Sequence, residues 1–135
     1  MLPGWNIIAS YAHIDAKVTK DNDLPIGSRL ANVAPNTASL WTTYELQEGN
    51  LKGLGFGLGV FFADDRPGYS YEPPEFKLPS YTRVDAAVSY KRDNWKIGLN
   101  VRNLFDKKYY ETHQGSDIVY PGAPFTVIGS FSINF

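Results

Sequence analysis

A chain of 135 residues has room for one domain with a core of its own, and its formal charge of −1 supplies no basic field to gather nucleic acid or an anionic surface. Its 9 Tyr, 8 Phe, 3 Trp, 12 Gly and 9 Pro favour strands and turns over helices, and with no cysteine there is neither a disulfide framework nor a thiolate metal site. No apolar run approaches the roughly 20 residues of a transmembrane helix, and the start MLPGWNIIAS lacks the basic flank of a signal peptide, so any membrane contact has to be carried by alternation.

Six segments alternate with period two, the pattern of strands whose faces meet different surroundings. Residues 6 to 18 set Ile8, Ala12, Ile14, Ala16 and Val18 against Tyr11, His13, Asp15 and Lys17. Residues 37 to 46 set Ala38, Leu40, Thr42, Tyr44 and Leu46 against Thr37, Ser39, Trp41, Thr43 and Glu45. In GLGFGLGVFF, residues 53 to 62, Leu54, Phe56, Leu58, Val60 and Phe62 face away from Gly53, Gly55, Gly57 and Gly59. Residues 82 to 90 oppose Val84, Ala86, Val88 and Tyr90 to Arg83, Asp85, Ala87 and Ser89, and residues 95 to 103 oppose Trp95, Ile97, Leu99 and Val101 to Lys96, Gly98, Asn100 and Arg102. The end carries Phe125, Val127, Phe131, Ile133 and Phe135 opposite Thr126, Ser130, Ser132 and Asn134. The fold class expected is all-β, an antiparallel up-and-down meander of six strands.

The connections run long, short, long, short, long: 19 to 36, 47 to 52, 63 to 80, 91 to 94 and 104 to 124. Compact soluble domains mostly use connections of about 4 to 6 residues. Alternation of brief turns and extended loops is the asymmetry of an outer-membrane β-barrel, and the strands have the roughly 9 to 11 residues that a tilted crossing needs. Tyr44, Phe62, Tyr81, Tyr90, Trp95, Phe125 and Phe135 stand near strand ends, where interfacial girdles form. With the leucine face of residues 53 to 62 on lipid, the glycine row looks inward and leaves room for bulky neighbours. A two-residue turn at Asp93-Asn94 sets a register that brings Asp85 opposite Arg102 as an inner-face ion pair.

YTRVDAAVSYKRDNWKIGLNVRNLFDKKYYE, residues 81 to 111, followed by YPGAPFTVIGSFSINF, resembles the C-terminal part of TonB-dependent outer-membrane receptors, nearest the ferric-siderophore branch. GWNIIASYAHIDAKVTKDNDLPIGSRLANVAPNTASLWTTYEL carries the likeness to the N-terminus. The resemblance implies a barrel of about 22 strands, plugged by an N-terminal domain, that takes up an iron-siderophore complex with energy from a TonB complex. Against that pattern, residues 1 to 135 are expected to be only the C-terminal section of the barrel, in the outer membrane of a Gram-negative cell. Its partners would be the remaining strands and plug, outer-membrane lipid, a ferric siderophore through the whole receptor, and TonB through the missing N-terminal part. Alone, such a section should not transport. Phe131, Ile133 and Phe135 look like the family's outer-membrane assembly signal, or are simply the apolar face of a final strand.

No catalytic constellation can be assembled, no cofactor is implied, and His13 and His113 lack metal-ligand spacing. The tyrosine- and charge-rich stretches 64 to 76 and 106 to 120 suit a flat polar chelate, which nominates Arg66, Tyr69, Tyr71, Tyr110 and His113 as ligand contacts, with generic loop roles as the alternative. The competing function is a small soluble all-β binding module, in which Leu58, Val88, Leu99 and Phe131 would converge on one dry centre.

Overall fold

The structure is a computed structural model that describes residues 2–68, 76–115 and 118–135. Six strands form one antiparallel sheet: β1 (Trp5–His13), β2 (Asn36–Glu45), β3 (Leu54–Ala63), β6 (Tyr81–Arg92), β7 (Trp95–Arg102) and β10 (Thr126–Ile133), adjacent in that order. Two small hairpins sit in the long connections, β4 (Arg66–Pro67) with β5 (Lys77–Leu78) and β8 (Tyr110–Gln114) with β9 (Ile118–Pro121). The meander expected from the alternation is present, and Asp93-Asn94 makes the tight turn between Arg92 and Trp95.

Register fixes the two faces. Leu40 lies opposite Val60, Val60 opposite Val84, Val88 opposite Leu99, and Leu99 opposite Gly129, so the aliphatic residues form one continuous surface. That surface is open: Leu58 is 49% exposed, Leu99 47% and Phe131 68%. The buried hydrophobic residues, Val18, Ala63, Leu78, Tyr81 and Tyr109, lie on the long-connection side of the sheet and not under it. Leu58, Val88, Leu99 and Phe131 therefore share no dry centre, which removes the soluble module. A sheet with so large an apolar face needs an apolar solvent.

Three expectations need correction here. β1 stops at His13 because its partner strand begins after Pro35, which has no N–H to extend the ladder; residues 16 to 18 instead fold against 28 to 30. Ile8 stands opposite Trp41, while Ala9 and Tyr11 stand opposite Leu40 and Ala38. The aliphatic face of β1 is thus Trp5, Ile7, Ala9 and Tyr11. Tyr81, paired with Ala63, belongs to the opposite face and is buried at the loop end, so it is no girdle residue.

The glycine row has two explanations. Gly53 precedes β3 in the turn, with φ +88°, and a Cβ there would overlap the Lys91 carbonyl. It closes a turn and does not belong to the strand face. Gly57 and Gly59 lie under the Trp41 indole of the neighbouring strand, and a Cβ at Gly57 would come 2.7 Å from Trp41 Cζ2. We expect Gly59→Leu to expel the indole and destabilise the sheet by about 1–3 kcal/mol, the usual penalty of overpacking. Urea unfolding in detergent should register the loss, and adding Trp41→Gly should restore most of it; a neutral single variant would contradict the packing described.

Candidate functional site

All three long connections, loop 1 (14–35), loop 2 (64–80) and loop 3 (103–125), leave the same end of the sheet. Their described parts are fastened together by a few polar side chains, the buried Arg66 and Asn103 and the exposed Asn32. Asn32, at φ +63°, uses its amide as a surrogate strand edge: Nδ2 donates to the His113 carbonyl and Oδ1 accepts the His113 N–H, both at 3.1 Å. Its own backbone N–H donates to the Pro67 carbonyl at 3.0 Å. Arg66, 6% exposed, donates from Nη1 to the Glu111 carbonyl at 2.8 Å and from Nη2 to the Tyr110 carbonyl. Loops 1 and 2 thereby both grip the backbone of β8.

Beneath this clasp an aromatic stack seats the loops on the sheet. Tyr81 and Tyr109 overlap with centroids 4.3 Å apart, Phe61 tilts against Tyr81 at 5.9 Å, and the Arg66 guanidinium lies 5.4 Å over the Tyr81 ring. Gly122 lets the Tyr109 ring lie flat on the backbone of loop 3. A polar chain runs beside the stack. Arg83 holds Asp85 in a forked pair at 3.0 Å and reaches the Tyr109 hydroxyl, which donates to Glu111, which in turn pairs with Arg102 at 3.2 Å. The expected Asp85–Arg102 pair does not form, because Arg83, two residues along the same face, takes the carboxylate first. Asp85 spends its remaining acceptor capacity on the Asn103 N–H at 2.8 Å.

Asn103 is the hinge pin of loop 3. It is 1% exposed at φ +55°, a conformation that asparagine tolerates. Its amide donates to the Lys107 and Ala123 carbonyls at 2.9 and 3.0 Å, and its Oδ1 accepts the Lys107 N–H at 2.9 Å, tying both ends of the loop to β7. Asn103→Ala removes the partner of these part-buried groups, and solvent recovers some of the roughly 1–3 kcal/mol that each would cost if buried. Limited proteolysis should then cut within 104–124 at protease levels the wild type resists, and equal resistance would contradict the role.

At the mouth of the sheet, Asn36 Nδ2 donates to Asp64 at 2.8 Å and the Asp65 N–H adds a second bond, which together hold the Asp64 carboxyl below its ordinary value. A lowered carboxyl contributes stability above the ordinary range near about 4, and the contribution disappears as pH falls through the lowered value.

The nominated ligand contacts fare differently. Arg66 and His113 are buried: Arg66 joins loops through Nη1 and Nη2, whereas His113 Nδ1 meets the Gly115 carbonyl of its own connection at 2.9 Å with Phe76 edge-on to its ring, and Arg66 Nε and His113 Nε2 have no hydrogen-bond partner among the described residues. Tyr110 is 45% exposed. Tyr69 and Tyr71 lie outside the described residues. Gly55, Gly57 and Gly59 share the Trp41 face, and Phe131 and Ile133 lie on the aliphatic face opposite Ile97 and Trp95, with Phe135 exposed just beyond. Sequence reading missed Asn32, Asn103 and Tyr109. Among the described residues no group of three or more His, Cys, Asp or Glu could hold a metal ion.

The profile of the TonB dependent receptor-like, beta-barrel family matches residues 2–104. The metal-pseudopaline receptor of Pseudomonas aeruginosa is 42% identical over 96% of the chain. The ferrichrome outer membrane transporter/phage receptor of Escherichia coli is 34% identical over 96%, and the ferrioxamine B receptor of Salmonella typhimurium 34% identical over 94%. The chain spans 18% of the length of each of these relatives. Among solved structures, the siderophore receptor PiuA from Acinetobacter baumannii superposes with a TM-score of 0.81 at 26% identity, covering 98% of this chain and 20% of that one.

Proposed function

The chain belongs to the TonB-dependent receptor family, outer-membrane β-barrels of the Gram-negative type, and from that premise we propose that residues 1–135 serve as the C-terminal barrel section of a receptor for iron-siderophore complexes. The observation that carries this reading is the division of one sheet into an open aliphatic face and a face of glycine, serine and paired charges, crowned at one end by clasped loops. Lipid would solvate the first face and water the second, with the loops outside the cell. Relatives named for ferrichrome, ferrioxamine B and metal-pseudopaline support a chelated metal as the ligand class. The rest of the barrel, a plug and TonB would complete the machine.

Within it, Tyr110 is the described side chain best placed to stack on a chelate, with Tyr69 and Tyr71 as further nominees. Arg66 and His113 contribute indirectly, by holding β8 in place. Phe131, Ile133 and Phe135 would serve barrel assembly. The test is uptake of radioactive iron by cells carrying the receptor, offered as ferrichrome or ferrioxamine B. Tyr110→Ala should raise the half-saturating concentration several-fold, since an aromatic contact is worth about 1 kcal/mol. No saturable uptake of either chelate by the wild type would overturn the ligand class, and an unchanged half-saturation in Tyr110→Ala would remove Tyr110 from the site.

A further inference from the structure

Toward the short turns the aliphatic face is not flat. Tyr90 lies opposite Leu54 on one side and Ile97 on the other, and its ring packs edge-on against Trp95, 5.7 Å away and nearer the turn. With that ring drawn toward the rim, Leu54, Val88, Ile97 and Leu99 border a trough of about 140 Å³ beside it. Ser89 and Gly98, whose register puts them on the Trp41 face, complete the lining. Water gains nothing against four aliphatic side chains, whereas a hydrocarbon chain does.

Tyr90 also borders a second hollow, of about 770 Å³, between the two short turns. The exposed Lys52 and Arg92 line it, with Lys91, Glu45 and Asp93. The ion pairs among the described residues, Lys17–Asp15, Arg83–Asp85 and Arg102–Glu111, include none of these five charges. Register sorts them. Glu45 and Lys91 continue the Trp41 face, opposite Gly55 and Lys96, whereas Arg92, opposite Trp95, is on the aliphatic side. A group arriving from the bilayer therefore meets Arg92, with Lys52 and Asp93 of the turns, in cationic excess. That excess is local, since the chain as a whole carries −1.

The trough and the cleft meet at one aromatic ring, and Tyr90 with Trp95 marks the depth at which headgroups begin. An apolar slot that opens into a cationic cleft at that depth is complementary to an anionic amphiphile. The planar fork of Arg92 suits two oxygens of a phosphodiester, and Lys52 adds a second positive charge. A headgroup with an amine beside its phosphate brings a further cation to this cleft, so phosphatidylglycerol fits it better than phosphatidylethanolamine.

We propose that Arg92 and Lys52 hold the phosphate of one anionic glycerophospholipid of the periplasmic leaflet, with part of an acyl chain in the trough between Leu54, Val88, Ile97 and Leu99. This rests on the reading of the aliphatic face as lipid-facing and of the short turns as periplasmic. The test uses the full receptor in vesicles of phosphatidylethanolamine with a minor share of phosphatidylglycerol. One lipid or the other carries a photoreactive diazirine in its acyl chain, and labelled peptides are mapped. At equal probe content, the phosphatidylglycerol probe should label the segment 88–99 at least fivefold more than the phosphatidylethanolamine probe. The Lys52→Gln/Arg92→Gln double variant, its barrel shown intact by heat-modifiable migration, should bring the two probes level. Asp93→Asn should widen the preference, because it removes the acid of the cleft and asparagine tolerates the φ of +50° there. A preference unchanged in the double variant, narrowed in Asp93→Asn, or abolished by inorganic phosphate would overturn the proposal. Equal labelling of Ile97 and Leu99 by both probes in the wild type overturns the site and leaves the lipid-facing reading standing. Labelling of Gly98 and Asn100 in place of Ile97 and Leu99 removes both.

Discussion

Leu99→Arg should destabilise the folded section by about 2–4 kcal/mol, the cost of a cation on the lipid side of a barrel near mid-membrane, whereas Asn100→Arg, one residue on, should cost less than about 1 kcal/mol. The contrast is the point. Leu99 sits mid-strand between Val88 and Gly129 on the aliphatic face, and Asn100 between Ala87 and Ile128 on the other, so backbone geometry and depth are matched and only the solvent differs. In detergent micelles or vesicles, urea titration followed by tryptophan emission compares the two. Equal penalties for both variants would mean that the two faces do not meet different solvents.

Arg66→Ala should release the clasp, the second large effect. Two charge-assisted bonds are lost, each worth about 1.5–3 kcal/mol, together with the guanidinium over Tyr81. Solvent around the rim recovers part of this, leaving about 3 kcal/mol of local stability. Since about 1.4 kcal/mol is a factor of ten, amide exchange of residues 110–114 should quicken by about 100-fold while the amides of β6 and β7 keep their protection. Arg66→Lys should not rescue it, because one ammonium cannot span two neighbouring carbonyls as the planar fork does. If exchange in β8 is unchanged, the loops are held by the aromatic stack and not by Arg66.

How much of this was legible in the chain depends on the range of the cause. Period-two alternation is imposed residue by residue by the bilayer, so five of the six long strands and their faces could be read directly. β1 misled because both its faces carry apolar residues: Ile8 competes with Ile7 and Trp5, and only pairing with β2 decides between them. The meaning of the glycines lay in a neighbour, Trp41, and not in their own spacing. Asp85 illustrates a closer contest, where an arginine two residues away on the same strand outcompetes one across the ladder. The clasp was the least visible part, since Asn32 and His113 are 81 residues apart and nothing local marks either. A positive φ at Asn32 and Asn103 is the physical common factor, and asparagine in a loop is a weak signal for it.

Spin labels placed singly at residues 96 to 101 and 127 to 132 of the vesicle-embedded protein would test the central claim most directly, through collision rates with oxygen, which concentrates in lipid, and with a water-soluble nickel chelate. The account expects strict alternation: oxygen dominating at 97, 99, 101, 127, 129 and 131, and the chelate at 96, 98, 100, 128, 130 and 132. Alternation in the opposite phase, or two faces equally open to the chelate, would contradict it.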